Sequence, residues 1–314
     1  MVETKTIEKR QSPVFARHET FHPRFGWLKK GYDAAINNDN IFLEEDAAVT
    51  LGVGKNMVRS IRYWCSSFGI LEEVTKKGSV GKKATPTLFG DKLLSSNGWD
   101  PYLECNSSLW LLHWNLVQPN NNATAWNYTF NLFLLSEFTD DHLFQSIEDY
   151  IKKEFPDLSI SPASIKKDVN CLLRMYSRNS TGQSKALTEE TLDCPFSELG
   201  IIESVANSFY YSFKVGPKDG LDPEIIVAVC LDYASLQDTG ANTIALSRLL
   251  YDTNGPGLAF KLTESDIYEA IEIVAEKNEN ISVSDSAGII QLSFFEDPQK
   301  LFIQILNEYY HRMA

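Results

Sequence analysis

The chain has 314 residues, of which 43% are hydrophobic, so it is long enough for two or three domains that each bury a core. It contains no run of about 18 uncharged apolar residues, so we expect no transmembrane helix. The charged N-terminus lacks the apolar core of a signal peptide, and the five cysteines form no CxxC pair. We therefore expect a cytoplasmic protein with reduced thiols and without a zinc knuckle.

The net charge of −13 is distributed unevenly along the chain. Residues 1–99 carry 15 basic and 11 acidic side chains, whereas residues 100–314 carry 14 basic and 31 acidic ones. Such asymmetry is typical of chains whose parts meet different partners. The alternative for the acidic part is that its charge only aids solubility.

The first hundred residues predict two helices around a tight turn, followed by a hairpin. Apolar residues at spacings of three and four predict helices over 25–36 and 55–68. A short helix over 44–51 precedes the turn Gly52-Val53-Gly54, where glycine permits the positive φ that such turns need. The other predicted elements are a short strand at 41–43, strands at 70–77 and 84–89 around a loop tip at 78–83, and a closing helix at 90–96. This order predicts a winged helix-turn-helix.

The rest of the chain predicts two further domains. The middle one is helical, with a strand at 210–215 and helices at 109–114, 126–133, 143–155 and 164–176. The C-terminal one repeats the winged-helix order, with helices at 223–236, 242–251, 263–277 and 301–310, a turn at 252–257, and hairpin strands at 281–283 and 289–294. Thr263 and Asp266 match the capping-box pattern at the start of a helix.

The predicted fold class is therefore mainly α with small β-hairpins (α+β). Residues 1–99 form an N-terminal arm and a winged helix-turn-helix, residues 100–218 a helical middle domain, and residues 219–314 an acidic winged-helix-like domain. The third helix of this last domain carries carboxylates that would repel phosphates: Glu264, Asp266, Glu269, Glu272 and Glu276. We expect it to bind protein or a second copy of the chain.

The helix over 55–68 is the candidate for insertion into the major groove of DNA. Arginine and asparagine have the bidentate geometry that reads guanine and adenine, and lysines in the hairpin would neutralise phosphates. The predicted DNA-binding residues are Lys55, Asn56, Arg59, Arg62, Tyr63, Lys76, Lys77, Lys82 and Lys83. The alternative is a solvated face of a winged helix that contacts protein.

Residues 18–22 spell HExxH, which on a helix would place two imidazoles on one face for zinc and supply a general base. Pro23 follows at once and disfavours helical geometry at His22. A third ligand could come from Glu44, Glu45 or Asp46, which leaves a zinc hydrolase as an alternative. We expect instead that His18, Glu19 and His22 make hydrogen bonds that pack the N-terminal arm, and we predict no catalytic residue, metal or cofactor.

Five strings resemble a bacterial family of unknown function, DUF4007. They are FARHETFHPRFGWLKKG at 15–31, LGVGKNMVR at 51–59, IRYWC at 61–65, GWDPYLE at 98–104 and SLWLLHW at 108–114. The resemblance implies a role beside PAPS-reductase-like sulfurtransferases in DNA-modification and phage-defence islands, for example in DNA phosphorothioation. It implies no catalytic residue.

The leading hypothesis is a non-enzymatic subunit that binds double-stranded DNA and recruits a PAPS-reductase-like sulfurtransferase. The basic N-terminal domain would bind the DNA, and the acidic remainder would bind the partner or form a homodimer. No membrane contact is expected. The alternative is a transcriptional regulator of a defence operon, which would bind tightly and specifically upstream of its own genes.

Overall fold

The computed structural model describes residues 12–75, 81–119, 121–178, 194–205, 208–237 and 240–313. In these residues helices dominate and three small sheets, mostly antiparallel, complete a mixed fold consistent with the α+β class.

The N-terminal region contains four helices and a two-stranded sheet. In chain order they are α1 (Trp27–Asn37), α2 (Ala47–Thr50), α3 (Lys55–Ser67), β1 (Leu71–Val74), β2 (Lys83–Pro86) and α4 (Leu88–Leu94). The two strands pair antiparallel, with Leu71 opposite Pro86 and Val74 opposite Lys83. Gly52 has a φ of 62° in the turn between α2 and α3, which explains the need for glycine there.

The predicted strand at 41–43 is wrong, because Ile41–Leu43 forms a 3-10 helix. The amide of Asn40 donates to the side chain of Asn38 at 2.9 Å, and this local bond turns the chain away from an extended path. Asp39 nevertheless meets the hairpin, since its carbonyl oxygen accepts a bond from the amide of Ala84 at 2.9 Å.

Helix α3 is held close to α1. A Cβ atom at Gly31 of α1 would lie 2.5 Å from Sγ of Cys65 and 2.8 Å from Ile61, so only glycine allows this approach. The hydroxyl of Tyr32 donates to Asp91 of α4 at 2.7 Å. These contacts fix the position of α3 on the body of the protein.

The middle region contains four longer helices and a four-stranded sheet. The helices are α5 (Asn106–Leu116), α6 (Thr124–Asn131), α7 (Asp140–Glu154) and α8 (Pro162–Tyr176), and a 3-10 helix spans Pro195–Leu199. The strands are β3 (Glu137–Phe138), β4 (Ser177–Arg178), β5 (Ile202–Ser204) and β6 (Tyr211–Phe213), in the order β3-β6-β5-β4. Only the β4–β5 pair is parallel among them.

The C-terminal region contains five helices and a three-stranded sheet of order β7-β9-β8. In chain order its elements are α9 (Pro223–Leu236), β7 (Thr243–Ala245), α10 (Leu246–Tyr251), α11 (Pro256–Phe260), α12 (Glu264–Ala275), β8 (Ile281–Ser286), β9 (Ile289–Phe294) and α13 (Pro298–Met313). The capping box of Thr263 and Asp266 is confirmed, with both of its hydrogen bonds present.

Two predictions in this region need correction. The predicted helix over 242–251 begins only at Leu246, because the residues before it form β7 and Ile244 pairs with Leu292 of β9. The predicted turn at 252–257 gives way to α11 at Pro256, which suits the first helical position. The first difference is explained by the pairing of β7 with β9 and the second by a proline at the first helical position, and the spacing of apolar residues shows neither.

One continuous hydrophobic core runs through all three regions, from Trp27 to Tyr310. At its far end, the ring of Trp99 stacks on Tyr310 of α13 at 5.5 Å, and its Nε1 donates to Asn307. The N-terminal and C-terminal regions therefore share one core and also contact each other directly. No helix within the described ranges is long and apolar enough to cross a membrane.

His113 joins three elements inside this core. Its Nε2 donates to the carbonyl oxygen of Ala259 at 2.9 Å, so Nδ1 is the atom that accepts from the hydroxyl of Tyr176 at 2.7 Å. Burial lowers the pKa of His113 to about 4, because the charged imidazolium would be desolvated.

We therefore expect His113 to destabilise the fold in acid. The unfolded chain binds the proton near pH 6.5 and the folded chain only near pH 4, so stability is lost as pH falls through this window. The loss reaches about 3 kcal/mol at pH 4. Urea unfolding of wild type and His113→Gln at pH 7.5 and 4.5 measures it, and the variant should lose about 2 kcal/mol less. An equal loss in both proteins would contradict this assignment.

Candidate nucleic-acid interface

The inner face of α3 is buried. Val58, Ile61, Cys65 and Phe68 lie in the core, as the apolar spacing predicted. Trp64 is fully buried as well, and its Nε1 donates to the carbonyl oxygen of Phe21 at 3.0 Å. The helix can therefore offer only its outer face to a partner.

The exposed part of α3 is its N-terminal half. Lys55, Asn56 and Arg59 are exposed there, directly after the turn that ends at Gly54. Arg59 has a side-chain exposure of 69% and only a loose ion pair with Glu19, at 3.6 Å. These three predicted residues are free to meet a ligand from solvent.

Arg62 lies further along the same face, but the structure ties it down. Its Nε donates to Glu73 of β1 at 2.7 Å, and one NH2 group donates to the carbonyl oxygen of Lys82 at 3.0 Å. The ammonium of Lys82 lies 3.8 Å from the same carboxylate. Arg62 thus braces α3 against the hairpin, and its charge is largely neutralised.

The remaining predicted site residues differ in how far a ligand could reach them. The ammonium of Lys83 is 2.9 Å from Asp39 and its side chain is only 21% exposed, whereas Lys82 is well exposed. Tyr63 is buried, its hydroxyl donates to the carbonyl oxygen of Asn122 at 3.3 Å, and burial raises its pKa. Tyr63 therefore meets solvent only where it lines the cleft between the arm and the hairpin. Lys76 and Lys77 lie outside the described residues.

The HExxH segment is a turn rather than a helix, so its imidazoles are not arranged as in a zinc site. Nε2 of His18 hydrogen-bonds to Oδ1 of the buried Asp168 at 2.9 Å, and Nδ1 of His22 lies 3.4 Å from the carbonyl oxygen of Pro23. The bond to Asp168 confirms the packing role predicted for His18, whereas Glu19 makes a loose ion pair with Arg59 at 3.6 Å and the His22 contact is local to the arm. Within the described ranges, no group of three or more His, Cys, Asp or Glu residues is placed to hold a metal ion.

A cleft of about 530 Å³ opens beside α3, between the arm and the hairpin. Its apolar lining includes Val14, Phe42 and Val58. Its charged lining consists of four cations and two carboxylates: Arg17, Arg59, Arg62, Lys82, Glu19 and Glu73. The cleft is therefore net positive and continuous with the exposed half of α3.

Sequence reasoning missed the arm as part of this surface. Arg17 and Arg59 both line the cleft, and Asp168 fixes the arm from α8. The only sequence signal was that Arg17 immediately precedes His18, a residue already singled out for packing. The contact with Asp168 spans 150 residues, and no local spacing announces it.

A family model described as "Protein of unknown function (DUF4007)" matches residues 15–310. The chain belongs to the DUF4007 family. This confirms the resemblance carried by the five strings between residues 15 and 114. No curated protein shows significant similarity to this sequence.

Two solved structures are similar to the DUF4007 chain over nearly its whole length. The sequence is 39% identical to that of an SspB crystal structure and 38% identical to that of a magnesium ion-bound SspB crystal structure. Each superposes with a TM-score of 0.89 and covers 96% of this chain and 88% of the SspB chain.

Alanine substitutions at the two arginines of α3 should change the free energy of unfolding by different amounts. Arg62→Ala removes two hydrogen bonds between α3 and the hairpin and should lower the unfolding free energy by about 1 kcal/mol. Arg59→Ala, at an exposed and loosely paired position, should change it by less than about 0.5 kcal/mol. Urea unfolding monitored by tryptophan fluorescence tests both, and equal losses would contradict the bracing role of Arg62.

Proposed function

We propose that the chain is a DNA-binding accessory subunit of a bacterial DNA-modification or phage-defence system. In this proposal α1, α2, α3 and the β1–β2 hairpin act as a winged helix-turn-helix, and α3 enters the major groove of double-stranded DNA. The observation that carries the proposal is the exposed N-terminal half of α3, with Lys55, Asn56 and Arg59 free to reach a ligand.

The geometry of α3 supports this role. Recognition helices of helix-turn-helix proteins contact base edges with their N-terminal residues, and here that half is the exposed one. Asparagine can bond adenine in bidentate fashion and arginine can do the same with guanine, whereas lysine contacts a phosphate as a point charge. We therefore assign base contacts to Asn56 and Arg59, and phosphate contacts to Lys55 and Lys82.

The second part of the proposal concerns the acidic remainder of the chain. Membership of the DUF4007 family and the likeness to SspB are compatible with a DNA-modification system. The exposed carboxylates of Glu264, Glu269 and Glu272 on α12, with that of Glu276 at its C-terminal cap, form a surface that would repel DNA and suit a basic protein face. We propose that this side recruits a PAPS-reductase-like sulfurtransferase, so that DNA phosphorothioation or a related modification takes place near the bound duplex.

No catalytic role for this chain is part of the proposal. The buried His18–Asp168 pair holds the arm and is not exposed to a substrate. The thiols of Cys65, Cys171 and Cys230 are buried, and burial raises the pKa of each, which disfavours the reactive thiolate.

Fluorescence anisotropy with a labelled random-sequence duplex tests DNA binding. The double variant Lys55→Ala with Arg59→Ala should weaken binding at least tenfold. It should also lower the slope of log K against log salt by about one to two, because fewer counterions are released on binding. The matched control is Lys153→Ala with Lys300→Ala, which removes two exposed cations with comparably loose ion pairs at 3.7 and 3.4 Å outside the N-terminal region.

The control pair should bind DNA like wild type. Absence of binding by wild type at low salt, or equal losses in both pairs, would contradict the proposed DNA-binding role of α3. A duplex from upstream of the gene should bind within a fewfold of the random duplex. Strong preference for it would favour a transcriptional regulator instead.

A further inference from the structure

The arm forms a strained turn where it passes α3. Ala16, Glu19 and Thr20 all adopt the left-handed backbone region, with φ of 58°, 51° and 69°. Placing a residue other than glycine in this region costs on the order of 1 kcal/mol of folding free energy. The conformation therefore persists only where the surrounding structure imposes it. A turn with three of them within five residues is held by something outside itself.

The holding group is Asp168 of α8. Its Oδ1 accepts a bond from the amide of Ala16 at 2.7 Å and hydrogen-bonds to Nε2 of His18 at 2.9 Å. His18 and Asp168 are 0% and 1% exposed. Arg17 lies between the two anchored residues, and its exposed side chain lines the cleft beside α3.

The charges of the cleft leave a deficit of anions. Glu73 is shared by Arg62 and Lys82, and Glu19 is the loose partner of Arg59. Among the described residues Arg17 has neither a hydrogen bond nor an ion pair. The guanidinium groups of Arg17 and Arg59 thus line one cleft, in which Arg59 is held only by the loose ion pair with Glu19. Planar guanidinium forks fit the oxygens of a phosphate.

We propose that Arg17 and Arg59 bind one backbone phosphate of DNA in this cleft, and that the Glu19–Arg59 ion pair breaks when the phosphate binds. Asp168 and His18 are positioning residues, since they hold the arm turn in the form that directs Arg17 into the cleft. This inference rests on the proposed function and adds a second contact element to α3.

The proposal predicts different changes in DNA affinity for four substitutions at three positions, Arg17, Glu19 and Asp168. Arg17→Ala should weaken duplex binding about tenfold and lower the salt slope by about one. Glu19→Gln should tighten binding severalfold, because it removes the competing carboxylate. Asp168→Leu should weaken binding although it also removes a negative charge, and Asp168→Asn, which keeps the acceptor oxygen, should restore part of the affinity.

The measurement is the same anisotropy titration, with circular dichroism to confirm that each variant is folded. Lys153→Ala is the matched control, because Lys153 is an exposed cation with a loose ion pair at 3.7 Å that contacts neither the arm nor the cleft. Inorganic phosphate serves as the competitor that distinguishes a free anion from a DNA backbone phosphate. It should compete no more than its ionic strength explains.

The outcomes separate the two proposals. If wild type does not bind duplex DNA, the proposed function itself fails. If wild type binds through Lys55 and Arg59 but Arg17→Ala keeps full affinity and an unchanged salt slope, only the cleft inference fails. Tighter binding by Asp168→Leu would overturn the positioning role, and specific displacement by inorganic phosphate would overturn the assignment to DNA backbone. If Asp168→Leu does not fold, Arg17→Ala and Glu19→Gln still test whether the cleft binds a DNA phosphate.

Discussion

The burial of Trp64 is the constraint on which the surface around α3 depends. Its ring lies among aromatic neighbours from three parts of the chain: His18 of the arm at 6.1 Å, Trp126 of α6 at 5.4 Å, and Tyr63 of α3 with Phe68 at its C-terminal cap, at 4.9 and 5.5 Å. Burying an indole and satisfying its Nε1 on Phe21 fixes the rotation of α3 about its own axis. A fixed rotation decides which side chains of α3 can ever meet a partner.

The rotation of α3 determines which of its side chains face solvent and which reach the hairpin. Lys55, Asn56 and Arg59 point to solvent, and Arg62 comes within reach of Glu73 and so joins the helix to the hairpin. The same packing brings the arm over the flank of α3, where His18 is fully buried against Asp168. The surface proposed to bind DNA is therefore assembled from an N-terminal arm, a helix and a hairpin, and its geometry is imposed by the middle region of the fold.

The sequence predicted those parts of the fold that local spacing controls. The apolar stripe of α3 and the bounds of α9 follow from periodicity and from proline at the first helical position, and both agree with the structure. Ile41–Leu43 was misassigned because an asparagine turn outweighs three apolar residues. The site was predicted in part: helical spacing groups Tyr63 with Arg59, but the packing of Trp64 and the contact with Asn122 bury Tyr63. Arg17 and Asp168 enter the site through a contact between distant segments, which no periodicity encodes.

The most direct test of this account is photocrosslinking of the intact protein to a duplex that carries iodouracil in place of thymine, with the crosslinked peptides identified by mass spectrometry. The account predicts crosslinks in the segment that contains Asn56 and Arg59, with further ones in the hairpin at Lys82. Crosslinks confined to the C-terminal sheet of β7, β8 and β9, with none in α3, would contradict the claim that α3 is the part of the chain that meets DNA.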